Sequence, residues 1–356
     1  MNKKKSILDS HVFYTIIAIL VGFLIGAIFL LIAGISPAVA YGKLVSSVFS
    51  KPKYIVWTLI YASPLIFTGL SVAFSFRTGV FNIGAEGQFV VGSLAACVVG
   101  ILVDVPAWIH VPLCIIAAAA AGCIWSLLVG LLKVKRGIHE VLSFIMFNWI
   151  AFYLSNYVVN LEAIHKVGGG EATKDVLPSA RISLPTSISD LLDNSTANWG
   201  FILAILAGVI IWIIIEKTTL GYKLKAVGFN NNAAKFAGIN SDKSILTALG
   251  ISGALAGLGG AVQLLGMSGR LSQFAGQEGF GFEGITVALI AGSNPIGCIF
   301  AGIFYGAMKY GGSKLTMVKA PAEVVNIIMG CIILFIAISM VFKTLFRKIG
   351  KKKEVI

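Results

Sequence analysis

Charge is scarce in this chain. Only 12% of its 356 residues are Asp, Glu, Lys or Arg, about half the share of a soluble globular domain. Acidic residues are the rarer sign, 15 against 28 basic, which leaves a formal net charge of +13. Histidine occurs four times, at His11, His110, His139 and His165, without clustering. Cysteine occurs five times, at Cys97, Cys114, Cys123, Cys298 and Cys331, each inside an apolar run and none at a metal-ligand spacing. Such cysteines read as small buried hydrophobes, and no metal site is expected. There is no G-x-x-x-x-G-K-[S/T] string, so the chain holds no nucleotide in a P-loop. No local motif marks a Ser/His/Asp or Cys/His arrangement. No catalytic residue is nominated, and the reading is not that of an enzyme.

What is present is apolar length. Hydrophobic residues make up 57% of the chain, and the mean hydropathy is +0.92. A helix crosses a bilayer with about 20 apolar residues, and the apolar runs predict about ten spans, at 12–35, 55–76, 89–103, 108–132, 141–161, 199–215, 244–267, 282–292, 296–310 and 324–342. The chain reads as an all-α integral membrane protein, 1–356 forming a single transmembrane domain. The first run is followed by an A-x-A pattern at Ala38-Val39-Ala40. A cleaved signal peptide is the alternative there, but the run exceeds the 7–15 residues of a signal core, so a retained span is expected. The longest polar stretch, 162–198, is expected as an external loop. The segment 244–267 contains SGALAGLGGA at 252–261, whose small residues suit close helix contact.

Lys and Arg are unevenly placed. They gather in the head (Lys3, Lys4, Lys5), at Arg77, at Lys133, Lys135 and Arg136, through 216–243, and in the tail after Lys343, in twofold excess over the intervening connections. The positive-inside rule puts both termini and 216–243 in the cytoplasm. A charge of +13 could suggest nucleic acid or a lipid surface, but this placement argues for topology instead, and no nucleic-acid partner is expected; the partner surface is membrane lipid.

A few polar residues stand at the mouths of spans or within them: Asn82, Glu86, Gln88, Asn148 and Glu283. An ionisable group at membrane depth is costly and usually faces a cavity, so these five are the candidate pathway residues. The alternative for Glu86 is simple hydration at the interface. Ala85-Glu86-Gly87 is echoed by Phe282-Glu283-Gly284. With five spans per half, such a repeat would be inverted in the membrane.

The stretch 221–239 reads GYKLKAVGFNNNAAKFAGI. Small residues let another surface approach closely, and Gly221, Ala226, Gly228, Asn230, Ala233, Ala234 and Gly238 are the candidate coupling residues. The pattern G-x-x-L-x-A-V-G-x-N-x-x-A-A-x-x-A-G-I resembles the coupling segment of ABC-importer permeases, in the family carrying branched-chain amino acids, ribose-type sugars and nucleosides. FNIGAEGQ at 81–88, HEV at 139–141 and PAEVV at 321–325 resemble the nucleoside branch. The resemblance covers nearly the whole chain. It departs within Asn230 to Phe236, which bears on which ATPase is recognised. The resemblance implies a type II importer permease fold in a bacterial plasma membrane. It implies a heterodimer with a second permease, a cytoplasmic ATPase that binds ATP and Mg, and a substrate-binding lipoprotein. No cofactor is expected in this chain. The cargo implied is a nucleoside, with a simple sugar as alternative. The spans hold almost no cation, so a phosphorylated cargo would go unpaired, and a neutral one is expected. An ion-coupled secondary transporter using Glu86 or Glu283 is the reading from a different class.

Overall fold

The computed structural model describes residues 11–194, 196–321 and 323–353, with side-chain surroundings for those between 13 and 338. The basic head with Lys3, Lys4 and Lys5 lies outside the described residues, as do the side chains of the basic tail. Fourteen α-helices are described: α1 His11–Ile32, α2 Pro37–Phe49, α3 Pro52–Phe76, α4 Ala85–Leu102, α5 Ala107–Arg136, α6 Glu140–Val159, α7 Thr186–Leu191, α8 Gly200–Lys217, α9 Thr219–Phe229, α10 Asn231–Phe236, α11 Ser241–Gln263, α12 Phe280–Ile290, α13 Pro295–Ser313 and α14 Glu323–Lys353. Among the described residues there is no strand, only three isolated bridges.

Among the described residues, seven helical segments are long and apolar enough to cross a membrane: 13–32, α3, α4, α5, α6, α8, and α11 with its π-helical extension to Ser268. The other three expected spans fall on α12, α13 and α14. α12 has 11 residues, so its length of about 16 Å falls short of a bilayer core of about 30 Å. The expected connection after the first span instead contains α2, opened by Pro37 at its first turn, where proline's missing N–H costs nothing.

The chain divides into two compact units, Met1–Lys51 with Ala307–Ile356, and Pro52–Gly306. In the first, α1 packs along α14. Gly22 and Gly26 face Ile332 and Ile328, and the Tyr41 hydroxyl donates to the Phe23 carbonyl at 2.6 Å.

The second unit is organised on α11, which packs against α5, α4 and α3. SGALAGLGGA explains how. A side chain on Gly257 would overlap the Ala118 carbonyl of α5, one on Gly253 the Gly122 carbonyl, and one on Gly260 the Phe89 carbonyl of α4. Gly92 of α4 meets the Gly257 backbone. Dispersion between closely packed backbones substitutes for the hydrophobic effect, which gives no drive between helices in lipid. α3 is buried along most of its length, Pro64 included. The Thr68 hydroxyl donates back to the Pro64 carbonyl at 3.2 Å.

The loop 162–198 is ordered by a neighbouring stretch as well as by its own backbone bonds, such as the Lys174 amide to the Ile164 carbonyl and the Leu184 amide to Ala197. The Thr173 amide donates to the Leu271 carbonyl, the Val176 amide to Gly269, and the Ile182 amide to Leu265. Asn156 of α6 donates to and accepts from the Phe274 backbone, at 3.0 and 2.8 Å.

Gly257→Val should destabilise the protein by about 1–3 kcal/mol, the usual cost of overpacking a core. Its thermal midpoint in detergent should fall. Gly42→Ala, in α2 with nothing near the added methyl, should leave the midpoint level or raise it. Equal melting of both variants would show that α5 and α11 are not in such close contact.

Candidate functional site

α3 ends at Phe76, and the chain turns through Arg77 and Thr78 to Gly79, whose φ is +73°. It then reaches Asn82. That side chain closes a local turn by accepting from the Gly84 amide at 3.0 Å. It also forms a reciprocal amide pair with Gln88 in the first turn of α4. Asn82 Nδ2 donates to Gln88 Oε1 at 2.9 Å, and Gln88 Nε2 donates back at 3.0 Å. The same Asn82 amide donates to Ser252 Oγ of α11 at 2.6 Å. Ser252 in turn donates to the Ser71 carbonyl of α3 at 2.7 Å. One polar knot thus ties α3, α4 and α11 together.

Glu86 lies beside this knot with 1% of its surface exposed. Its Oε1 accepts from the Gly279 amide and its Oε2 from the Gly281 amide, each at 2.7 Å. These donors belong to the start of α12. The carboxylate caps that helix, where the positive end of the peptide dipoles favours an anion. Gly281 leaves room for the approach, since a side chain there would overlap the Glu86 backbone. Phe280 stacks on Phe89 of α4 with ring centroids 5.0 Å apart. Asn148 of α6 closes the other flank. Its Oδ1 accepts from the Gly87 amide at 2.9 Å, and its Nδ2 donates to the Ile83 carbonyl at 3.1 Å.

Asn82, Glu86, Gln88 and Asn148 are therefore brought together, but behind protein. Each is at most 2% exposed, and within the single chain none of the four lies on an open wall. Glu283 differs. It sits in the first turn of α12 and keeps part of its surface. Ser71 and Ser252 were not singled out from the sequence. Ser71 and Ser75, four apart in an apolar helix, were the available signal.

The second cluster is the segment from Thr218 to Asn240. Three side chains cap three successive helices. Thr218 accepts from the Gly221 amide at 3.2 Å, Asn230 from Ala233 at 3.0 Å, and Asn240 from Lys243 at 2.9 Å. Gly238, with φ +78°, ends the α10 turn. The small residues divide into two sets. Gly221 and Gly228 are packed inside the chain, because a side chain would overlap the Ile214 and Ile215 carbonyls or the Arg77 carbonyl. Ala234 is buried beside Val80, Val129, Phe144, Val227, Ile245 and Leu249, and Ala226 packs against that cluster. Asn230, Ala233 and Gly238 are exposed. The exposed aromatics are Tyr222 at 69%, Phe229 at 88% and Phe236 at 94%, none of them among the candidate coupling residues. A cleft of about 350 Å³ lined by Lys235 and residues 238–242 lies alongside.

Known proteins agree with this architecture. Residues 54–337 match the family described as branched-chain amino acid transport system / permease component. The guanosine ABC transporter permease protein NupP of Bacillus subtilis is 41% identical over 345 residues, covering 96% of this chain and 98% of its own. The nucleoside ABC transporter permease protein NupB of Lactococcus lactis is 36% identical over 94% of this chain and 92% of its own. The glucose ABC transporter permease protein TsgB13 of Haloferax volcanii is 30% identical over 92% of this chain and 87% of its own. The Bacillus and Lactococcus strains each hold a second, more distant relative, also named as a guanosine or nucleoside permease. The chain is a multi-pass membrane protein and belongs to the branched-chain amino acid transport system permease family.

Proposed function

We propose that the chain is the transmembrane subunit of an ABC importer that carries an uncharged nucleoside into the cytoplasm. Its likeness to the guanosine permease NupP over nearly the full length of both chains carries this reading. A second permease of the same family completes the pathway, in keeping with the paired relatives. A separate ATPase holds ATP and Mg, and a substrate-binding lipoprotein delivers cargo. Both termini and the segment from Thr218 to Asn240 lie in the cytoplasm of a bacterial cell, as the Lys and Arg bias requires. α12, α13 and α14 bring the spanning segments to ten, and the echo of Ala85-Glu86-Gly87 in Phe282-Glu283-Gly284 supports an inverted repeat.

The charge of the cargo follows from the cations. Apart from Lys309, Lys and Arg in the described spans stand at helix ends, such as Lys53 in α3, Lys133 to Arg136 in α5 and Lys217 in α8. Desolvating an unpaired phosphate costs many kcal/mol. The Glu283 carboxylate suits the hydroxyls and base edges of a neutral molecule and would repel an anion. A simple sugar is the second reading, favoured by the likeness to a glucose permease. Cells with the complete system should take up labelled guanosine in a manner that requires this chain. Excess glucose should not compete. Uptake of intact nucleoside monophosphate at a comparable rate, with phosphatases blocked, would overturn the charge argument.

Phe229 and Phe236 are the anchors offered to the ATPase, because exposed aromatics at the centre of a contact carry most of its energy. Asn230, Ala233 and Gly238 let the partner surface come close around them. Replacing both phenylalanines by alanine should leave the protein inserted and folded. Transport-coupled ATP hydrolysis of the assembled complex should fall at least tenfold, for a loss of about 1.4 kcal/mol. Gly238→Trp should act in the same direction. Full hydrolysis in either variant would show the segment to be an ordinary loop.

The five pathway candidates divide by role. Asn82, Glu86, Gln88 and Asn148 form the fixed frame, and Glu283 is the group that meets the cargo or its water. Glu86→Gln replaces one acceptor with a donor facing a donor. It should cost about 1–3 kcal/mol for the orphaned amide, seen as a lower thermal midpoint. Glu283→Gln should leave the midpoint in place and raise the KM for nucleoside uptake. A stability loss confined to Glu283→Gln would reverse the assignment.

A further inference from the structure

Four large side chains of α6 lie within one side of the helix: Met146, Trp149, Tyr153 and Tyr157, at three- and four-residue spacings that keep them in register. All are exposed, Trp149 at 44%, Tyr153 at 64% and Tyr157 at 67%. From Met146 to Tyr157 the stripe runs about 16 Å at about 1.5 Å per residue, more than half the thickness of the hydrocarbon layer. The rings touch. Trp149 and Tyr153 are 6.2 Å apart between centroids, and Phe152 lies 5.0 Å from Tyr153 and 5.6 Å from Trp149. Phe274, on the stretch leading to α12, stacks on Phe152 at 6.5 Å.

Other spans differ. The exposed large side chains of α8 are Ile202, Leu206, Val209, Ile210 and Ile213, and those of α5 beyond its first turn are Leu113, Ile116, Ile124, Leu128 and Leu131. Those faces are aliphatic, as lipid contact requires. Trp and Tyr facing lipid belong at the two interfaces, whereas Trp149 stands halfway along α6. Among the described residues, no hydrogen bond within the chain engages the Trp149 indole or the hydroxyls of Tyr153 and Tyr157. Hydrocarbon would leave the Trp149 and Tyr153 groups unpaired at a cost of several kcal/mol each, whereas Tyr157, in the last turn of α6, stands near the interface. Helical side chains also tilt toward the N-terminus, which carries the Tyr153 hydroxyl toward mid-span. The opposite face of the same helix supplies Asn148 to the buried frame, so the stripe is held rigidly.

We infer that Trp149, Tyr153 and Tyr157 form a stacking ladder for the base of the nucleoside cargo, with Met146 at its inner end. The inference rests on the nucleoside reading above and adds the residues that recognise the base. Every base presents a π-face, so a ladder of this kind tolerates purines and pyrimidines alike. The indole and phenol tips supply hydrogen bonds to passing hydroxyls or to water. Binding at successive rings is loose enough to release, as a path requires.

The test uses the complete transporter, purified with its partner chains and reconstituted into proteoliposomes, with labelled guanosine and 8-azidoguanosine as probes. The photoprobe should label the peptide 140–159, and excess guanosine should suppress the labelling. The double variant Trp149→Leu, Tyr153→Leu should lose at least tenfold in kcat/KM for guanosine while the partner permease still co-purifies. Tyr153→Phe, which keeps the ring, should lose less than threefold. Ile210→Ala on α8 should match the wild type. Guanosine transport by the double variant within twofold of the wild type overturns the ladder, as does photolabelling confined to other peptides. Loss of the partner permease from the double variant also overturns it, by making the stripe a seam between permeases. A wild-type complex that transports no nucleoside overturns the functional reading, and the ladder's stated occupant with it.

Discussion

A hydrocarbon layer offers no hydrogen-bond partner, so a polar group inside a membrane protein must be answered by the protein or by enclosed water. The Glu86 carboxylate meets that demand with two backbone amides at the start of α12. α12 in turn needs the carboxylate, because the first amides of a helix have no partner within it. Neither the acid nor the short helix is stable at that depth alone. The reciprocity extends outward. Asn82 and Gln88 satisfy each other, Ser252 satisfies Asn82 and the Ser71 carbonyl, and Asn148 satisfies the Gly87 amide. A buried network of this kind rigidifies a fold only when every member is paired. Here the pairing spans α3, α4, α6, α11 and α12.

The knot has to be held in a space too narrow for side chains. Where α11 passes α4 and α5, glycine faces backbone at Gly257, Gly253, Gly260 and Gly92. Helix axes brought that close put Ser252 within reach of both Asn82 and Ser71. A bulkier α11 would stand off and leave the Asn82 amide without its shortest bond. Tight packing and polar satisfaction are therefore one design, and SGALAGLGGA serves both.

Apolar length was the most legible feature of the sequence. Every segment of about 20 apolar residues in 52–306 became a helix, because the lipid requirement leaves no other solution. The segment at 282–292 showed the limit of that signal. Its composition reads as a span, but its helix is 11 residues long, and its start is fixed by Glu86 nearly 200 positions earlier. Long-range pairing of this kind leaves no local pattern. FNIGAEGQ marked the right residues without revealing their partners, since a Ser71 or Ser252 hydroxyl in an apolar helix looks like any other. In 221–239 the run of small residues was visible, but its division was not. Gly221 and Gly228 serve backbone contacts inside the chain, which depend on where α8 and the Arg77 turn come to lie. Nothing local in the sequence marks Phe229 and Phe236 as exposed, which depends on how α9 and α10 lie against the chain.

Gly228 gives the two clusters a physical connection. Its backbone lies against the Arg77 carbonyl and Gly79, in the turn that leads within a few residues to Asn82. The guanidinium of Arg77 donates from Nε to the Ser293 carbonyl beyond the end of α12 at 3.0 Å. One short turn therefore touches α9, leads to the buried amide knot and reaches the far end of the helix that Glu86 caps. Spatial intermediacy alone is not coupling. Yet the contact between Gly228 and the Arg77 turn is backbone against backbone, with no flexible side chain between them to absorb a displacement. A push on α9 would be felt first by the Arg77 turn, a few residues before Asn82. The absence of a Cβ at Gly228 and at Gly79 is what removes the slack.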